Sequence, residues 1–565
     1  MTAPHRPRRL LPAWLRAYDR ATLRADALAA VTVAVLLIPQ GMAYALLAGI
    51  PPVHGLYASL VPLAAYALLG QSRQLAAGIV ALDMLIVGAA IAHFGPPSPA
   101  AAAGIAITLS LMAGAIQLAV GLLRLGFITD FISRPVIVGF TTAAPLLIGL
   151  GQLGNLTGIH VPAAPDLIGI TRGLALHFTE IHPPSAALGL AAAAWLWAGR
   201  RYRPRWPHGL AVVVIGTLLV WLLDLPTRGV AIIGPITAGL PKPALPLDID
   251  VARALFPTAV TLALIQLVTV ISMGRLLASR NREMVRPNRE LTALGAANLL
   301  GGLFQSPPVS ASFSRTAVNV AAGARTPLAN GLAALLVLAA ILTLDRALAY
   351  IPLPILAAII LVAALSMIDP QETRSIFDLH RAEGFVAVIT MTVTLLIGIE
   401  EGVLLGIGAS LALMLYRMSR PRIAVLERHP DTGRFVDRAH HQDTRPIPGL
   451  VVLRVDGALH FANAEHMRRA VLAHVDHAPD RPRRVLLDGR GINSIDVTAA
   501  GVLRDLLDDL DHRDVELALT GFKASPRRVI DQSRLDERVA NEAIELSAAE
   551  VVELLDRARD EAPRS

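Results

Sequence analysis

Apolar residues fill the chain from about Ala27 to Tyr416 in runs of roughly 15 to 23 residues, against the ~20 that a helix needs to cross a bilayer. Each run is closed by Gly, Pro or charged residues. Read in order, they predict about fourteen membrane segments. These start near Ala27, Gly55, Ile79, Ala101, Ile128, Ser185, Leu210, Ala254, Leu291, Ser314, Pro327, Ile351, Ala382 and Glu401. Two are too short to span. "GQSRQLAAGIVALDMLIVGAAIAHFG" puts a Gly-rich, extended approach before a short apolar run, and "SPPVSASFSRTAVNVAAG" repeats that design far downstream. Each is third in its half. Residues 26–224 and 254–418 therefore read, from segment order, as two inverted repeats whose half-helices meet N-terminus to N-terminus near the bilayer midplane.

Past Arg420 the period changes. "GLVVLRVDGALHFANAEHMRRAVLAHV" predicts strands and then a helix, "RRVLLDGRGINSIDVTAAGVLRDLLDDL" a buried strand, a turn and a helix, and "DVELALTGF" a further strand. Helices over about 524–534 and in "SAAEVVELLDRAR" complete an α/β domain. The expected organisation is a cytoplasmic N-terminal segment over 1–25, a membrane domain over 26–420 and an α/β domain over 421–565.

Composition agrees: 54% hydrophobic and 17% charged residues, with a mean hydropathy of +0.55, exclude a soluble protein. The net charge of +7 alone would suggest a nucleic-acid partner. Its basic residues are nearly all Arg beside membrane spans, so they read as orientation by the positive-inside rule instead. The Arg-bearing connections 124–134, 200–205, 275–289 and 374–381 fall on one side, and the Arg-poor connections 151–183 and 399–402 on the other. Both termini and the α/β domain are then cytoplasmic. The basic, amphipathic start "MTAPHRPRRLLPAWLRAYDRATLRAD" lacks a cleavable signal pattern and predicts a helix on the lipid surface. Cysteine is absent, which excludes disulfides and thiolate metal sites. His54, His93 and His160 lack metal-ligand spacing. Neither "GLYASL" nor "GQSRQLAAG" follows the P-loop pattern. No catalytic constellation, metal or cofactor is expected, and the chain reads as a non-enzyme.

The chemistry-bearing positions cluster at the half-helices. Two facing helix N-termini offer unpaired N–H groups and partial positive charge to an anion. Arg315 adds a full charge that inside a membrane requires a wet cavity or a partner. Two roles stand for it: attraction of a substrate anion, or a structural ion pair with Asp83 on the opposing half-helix. Ser314 reads either as a ligand or as the N-cap of its helix.

Longer motifs carry a resemblance. "IPQGMAYALLAGIPPVHGLYASLVP", "NRELTALGAANLLGGLF" and "SFSRTAVNVAAGARTPLA" resemble the signatures of the sulfate permease (SulP) anion transporter family, which includes prestin and pendrin, and the tail resembles its STAS domain. The likeness covers nearly the whole chain. It implies fourteen segments in two inverted repeats of seven forming a core and a gate domain, an elevator-like motion, and a homodimer. It also implies an anion site lined by Gln40, Tyr44, Val80, Phe313, Ser314 and Arg315. Gln40 and Tyr44 lie one helical turn apart and together offer hydrogen bonds to an oxyanion, although packing alone would also account for Tyr44.

The chain departs from the family pattern in places. Where many bacterial members carry a carboxylate on the eighth segment, linked to proton or sodium coupling, Thr269 stands here. Gln266 is a polar substitute one turn away, and Asp83 is a further candidate for the coupling ion. Gly78-Ile79 replaces the family's Gly-Pro. In the tail, Asp496 and Thr498 approximate the acidic and phosphorylatable positions of soluble relatives, and Thr498 reads as a phosphosite or a cap.

The resulting expectation is a secondary active transporter of small inorganic oxyanions in the bacterial inner membrane, with sulfate first and bicarbonate or a dicarboxylate next. The alternatives are a channel-like or voltage-responsive anion protein, and an anion sensor that signals to a cytosolic partner through the tail. A nucleobase permease fits worst, because such sites rely on carboxylates where Thr269 and Arg315 stand here.

Overall fold

The computed structural model describes residues 18–553, apart from 96–97, 128–132, 160, 162–163, 165, 204–205, 236–238, 247, 282–285, 367, 442, 479 and 536–549. The expected surface helix lies, through residue 17, outside the described residues, as does all but 550–553 of the last expected helix. The chain divides into two units, residues 1–410 and 411–565. The division falls inside helix Ile399–Ser419, ahead of the composition change at Arg420.

The first unit is helical, as the apolar runs predict. Seven helices among the described residues are long and apolar enough to cross a membrane, including Arg20–Leu47, Pro99–Leu122 and Arg134–Thr157. The two predicted half-helices are Ala81–Phe94 and Phe313–Ala321. A helix over Leu167–Leu176 interrupts what the sequence suggests is a plain connection.

The helices pack as two groups. One contains Arg20–Leu47, Val61–Leu69, Ala81–Phe94, Pro99–Leu122, Phe256–Asn281, Pro287–Leu303, Phe313–Ala321 and Leu328–Thr343. The other is built on Arg134–Thr157, Pro183–Tyr202, Leu353–Leu365 and Arg381–Leu396. Lipid offers no hydrophobic drive between helices, so close packing of small residues holds them together. A Cβ on Gly114 would lie 2.7 Å from Leu299 N, and one on Gly295 would lie 2.5 Å from Leu118 N. The contact between the first helix and Pro52–Tyr57 is tighter still, because a Cβ on Gly55 would sit 1.9 Å from the Gly41 carbonyl oxygen.

The second unit carries a five-stranded sheet in the order Phe435–Asp437, Arg422–Arg428, Leu450–Asp456, Arg484–Asp488, Glu516–Thr520. The first three pair antiparallel and the last three parallel. Helices Ala464–Asp476 and Val497–Asp511 bury Met467, Val471, Leu503 and Leu507 against one face. Apolar residues on the other face, among them Leu426, Val452 and Leu486, pack with Val551 and Val552.

Gly55→Ala drives its new methyl into a backbone oxygen that cannot move aside. Overpacking of this kind costs about 1–3 kcal/mol, and the variant is expected to melt several degrees lower in detergent with a reduced folded yield. Unchanged melting would contradict the close approach.

Candidate functional site: an anion cavity between two half-helices

Each half-helix is entered by an extended stretch, and extended backbone in a membrane interior must find partners for every N–H and C=O. Part of the answer is a two-residue antiparallel ladder, Ala77 opposite Ala311 and Gly78 opposite Ser310. The rest comes from side chains. Asn319 Nδ2 donates to the Gln74 carbonyl (2.9 Å), Asn330 Nδ2 to that of Leu75 (2.7 Å), and Ala76 N–H to Thr316 Oγ1 (3.0 Å). Arg315, Thr316 and Asn319 recur at helical spacing, so one face of Phe313–Ala321 serves as a rack for the crossing strand. On the other approach, Asn298 receives the Val309 N–H (2.7 Å) and donates to its carbonyl (3.1 Å).

Arg315 is the largest fully buried side chain among the described residues, 1% exposed. Its Nη2 donates to the Ile79 carbonyl at 2.7 Å. The guanidinium packs on Gly78, where a Cβ would come within 3.0 Å of Nη2 and where φ is +144°, so only glycine fits. The alternative of an ion pair with Asp83 is not seen among the described residues: Asp83 Oδ2 accepts from Gln266 Nε2 at 2.8 Å. The cap of Phe313–Ala321 is Ser312, whose Oγ accepts from Arg315 N–H (3.4 Å), and not Ser314. The helix begins two residues earlier than a Ser314 cap requires. Phe313 and Ser314 stand in its first turn, and their side chains lie outside the described residues.

A cavity of about 740 Å³ opens in front of these elements. Gln40, Tyr44, Val80, Asp83, Thr269 and Ser310 line it from the first helix group, and Val136, Phe140, Ala363, Arg134, Asp369 and Glu372 face them from the second group. Arg315 is not among the lining residues; it stands behind the wall, holding the peptide that leads to Val80. Gln266 is likewise behind the wall, and the Thr269 hydroxyl donates to the Ile265 carbonyl (2.8 Å) of its own helix. Helix Ala81–Phe94 has no side-chain cap at Val80, and its first-turn N–H groups have no hydrogen-bond partner among the described residues. Ser310 Oγ and Gln40 Oε1 are buried without a hydrogen-bond partner among the described residues. At the cavity's exposed rim, Arg134 Nη2 pairs with Glu372 Oε1 at 2.8 Å.

Sequence reasoning missed Ser310, Asn298 and the rim pair. A serine two positions before the helix cap was a usable signal for Ser310. The partners Arg134 and Glu372 are 238 residues apart, and no local pattern joins them.

In the second unit, Asp496 caps helix Val497–Asp511 by accepting from Ala499 N–H at 2.7 Å. Its other oxygen holds Phe461 N–H (2.8 Å). Thr498 is therefore not the cap; it lies exposed in the first turn. Nearby, the hydrogen bond to buried Asp488 raises the pKa of Arg490 above the usual arginine value.

Residues 23–390 match the sulfate permease family, and residues 441–551 match the STAS domain. A probable sulfate transporter of Mycobacterium tuberculosis (strain CDC 1551 / Oshkosh) is 35% identical over 543 residues, covering 96% of this chain and 97% of that protein. The murine solute carrier 26 family member A9 anion transporter in its inward-facing state superposes with a TM-score of 0.89 at 24% identity, over 97% of this chain and 94% of that one. The transmembrane domain of a cyanobacterial bicarbonate transporter, BicA, superposes with a TM-score of 0.60 at 25% identity, over 70% of this chain and 98% of that one.

Thr316→Val keeps the shape of the side chain and leaves the Ala76 N–H unpaired in a buried site. The expected cost is about 1–3 kcal/mol, read as a lower melting temperature of the purified protein. A variant as stable as the parent would show that this N–H needs no partner.

Proposed function

The chain belongs to the sulfate permease family, and on that footing we propose that it carries small oxyanions across the membrane by elevator-type alternating access, sulfate first and bicarbonate or a dicarboxylate next. It is a multi-pass anion transporter, and the bacterial inner membrane is the proposed location. The observation that carries this reading is the cavity: an uncapped half-helix N-terminus, the Ser310 hydroxyl and Gln40 Oε1 converge on it with hydrogen-bonding capacity that no described residue uses.

An oxyanion there receives backbone N–H bonds along the axis of Ala81–Phe94, where the helix dipole favours negative charge. Ser310 donates its hydroxyl, and the Gln40 carboxamide presents its NH2 when turned over. Arg315 acts from behind. By donating to the Ile79 carbonyl it polarises the Ile79–Val80 peptide toward the cavity, and its charge sits close to the anion without being neutralised by contact with it. This suits a carrier, which must bind its cargo well enough to load and weakly enough to unload.

The two walls differ in a way that supports the elevator reading. The uncapped half-helix, Ser310 and Gln40 come from one helix group, whereas the wall of the other group carries the apolar Val136, Ile137, Val138, Phe140 and Ala363, with Thr141, Ser366 and the charged rim residues Arg134, Asp369 and Glu372 beside them. The apolar part of that wall has no hydrogen bonds to break when the site-bearing group slides past it.

Uptake into proteoliposomes by the full chain tests this proposal. Ser310→Ala is expected to raise the half-saturating sulfate concentration about three- to tenfold, the loss of one hydrogen bond to an anion. Arg315→Gln retains a donor for Ile79 and removes the charge; it is expected to elute as folded protein and to lose at least about tenfold in uptake. Parental uptake in Arg315→Gln would remove Arg315 from the mechanism.

A further inference from the structure

The α/β domain hides its large apolar side chains, with one exception. Among the described residues beyond Arg420, those left exposed are Phe461, at 74%, and Val497, at 90%. They are far apart in sequence and neighbours in the fold. The loop after strand Leu450–Asp456 pairs with the loop before helix Val497–Asp511: Leu459 N–H donates to the Ser494 carbonyl (2.9 Å), Asp496 N–H to the Leu459 carbonyl (3.1 Å), and Phe461 N–H to Asp496 Oδ2 (2.8 Å). Both side chains therefore project from one braced tip. A lone exposed apolar residue is ordinary on a protein surface, whereas two on a tip held by hydrogen bonds call for a partner.

The position of the tip indicates which partner. Helix Ile399–Ser419 is long and apolar enough to cross a membrane from Glu401 onward, and its last turns leave Met414, Leu415, Tyr416 and Met418 exposed. Asn463, 1% exposed, ties the tip to that helix end: its Nδ2 donates to the Met418 carbonyl at 3.1 Å and to the Ala458 carbonyl at 2.9 Å. The same helix end pairs an aromatic ring with a cation, the Arg420 guanidinium lying 4.9 Å from the centre of the Tyr416 ring. Such aromatic and basic residues mark the boundary between membrane and water. Phe461, next but one to Asn463, stands beside the last lipid-facing residues of the span. The apolar surface of the helix thus continues onto the tip.

We propose that Phe461 and Val497 insert into the lipid interface beside the last membrane helix, so that the α/β domain rests on the bilayer through an apolar foot as well as through its covalent connection. The partner is the lipid surface. Both side chains leave water for the boundary between headgroups and acyl chains, a transfer driven by their apolar area. The carboxylate at the tip does not oppose it as a bare charge, because Asp496 Oδ1 accepts from Ala499 N–H (2.7 Å) and Oδ2 from Phe461 N–H. The hydrogen bonds that brace the two loops are made before lipid arrives, so insertion requires little further ordering of the chain. The foot holds whichever anion the membrane unit carries.

The chain contains no cysteine, so a single introduced cysteine takes a spin label without competition. Phe461→Cys and Val497→Cys are each labelled in the full chain and placed in nanodiscs of phosphatidylcholine and phosphatidylglycerol. His477→Cys is the control, at the other end of helix Ala464–Asp476 and about 20 Å along it from Asn463. All three positions are exposed, so the substitutions remove little packing. Paramagnetic resonance then reads how often each label meets dissolved oxygen, which concentrates in lipid, and a water-soluble nickel chelate. Oxygen is expected to outweigh nickel at 461 and 497, at a depth of about 5–10 Å, and nickel to outweigh oxygen at 477. Nickel outweighing oxygen at 461 and 497 would leave the tip in water and overturn the proposal. Labels at 461 and 497 shielded from both reagents would mean that protein, a second copy of this chain included, covers the tip, and would overturn it as well.

Discussion

Everything at the centre of the membrane unit follows from one constraint: the backbone of an extended chain cannot be left unpaired where there is no water. Breaking a membrane helix into a strand and a half-helix frees N–H and C=O groups whose exposure to hydrocarbon would each cost several kcal/mol. The two-residue ladder between Ala77–Gly78 and Ser310–Ala311 satisfies only some of them. Thr316, Asn319, Asn330, Asn298 and Arg315 satisfy others, each from a fixed position on a neighbouring helix. The half-helix N-terminus at the cavity is available to a ligand because the strand leading to it has been provided for.

The same constraint accounts for a buried arginine that stands behind the proposed binding site without lining it. A guanidinium in direct contact with a substrate anion would form a tight pair that unloads slowly. Bonded to the Ile79 carbonyl and packed on Gly78, Arg315 supplies field and rigidity together. The carboxylates follow a related logic. Asp26 holds the Arg325 and Thr326 N–H groups at 2.7 and 3.1 Å, and Glu290 holds Ser72 N–H at 2.8 Å, so each clamps a loop that borders a half-helix. Asp83 differs from both in having an oxygen to spare, and it is the one that faces the cavity.

Much of this was legible in the linear chain. Apolar run length located the helices, and the two extended approaches marked the half-helices, because a span that is too short is visible as a count of residues. Gln40 and Tyr44 were legible because i and i+4 share a face. The partner of Asp83 was not. Charge suggested Arg315, but Gln266, 183 residues away, takes the bond because Arg315 is held by a backbone carbonyl that the sequence gives no reason to single out. The caps were shifted by two residues for a similar reason: Ser312 and Asp496 win over Ser314 and Thr498 because the tertiary fold, through the ladder and the Phe461 contact, sets where each helix begins.

The sequence by itself determined that the chain lives in a membrane, that two of its helices are broken, and that an α/β domain follows, because hydrophobic period and run length are local properties. Only the tertiary structure decided which side chains face the cavity and which stand behind its wall. That depends on where backbone groups hundreds of residues apart are brought together and on which polar atoms they leave unused.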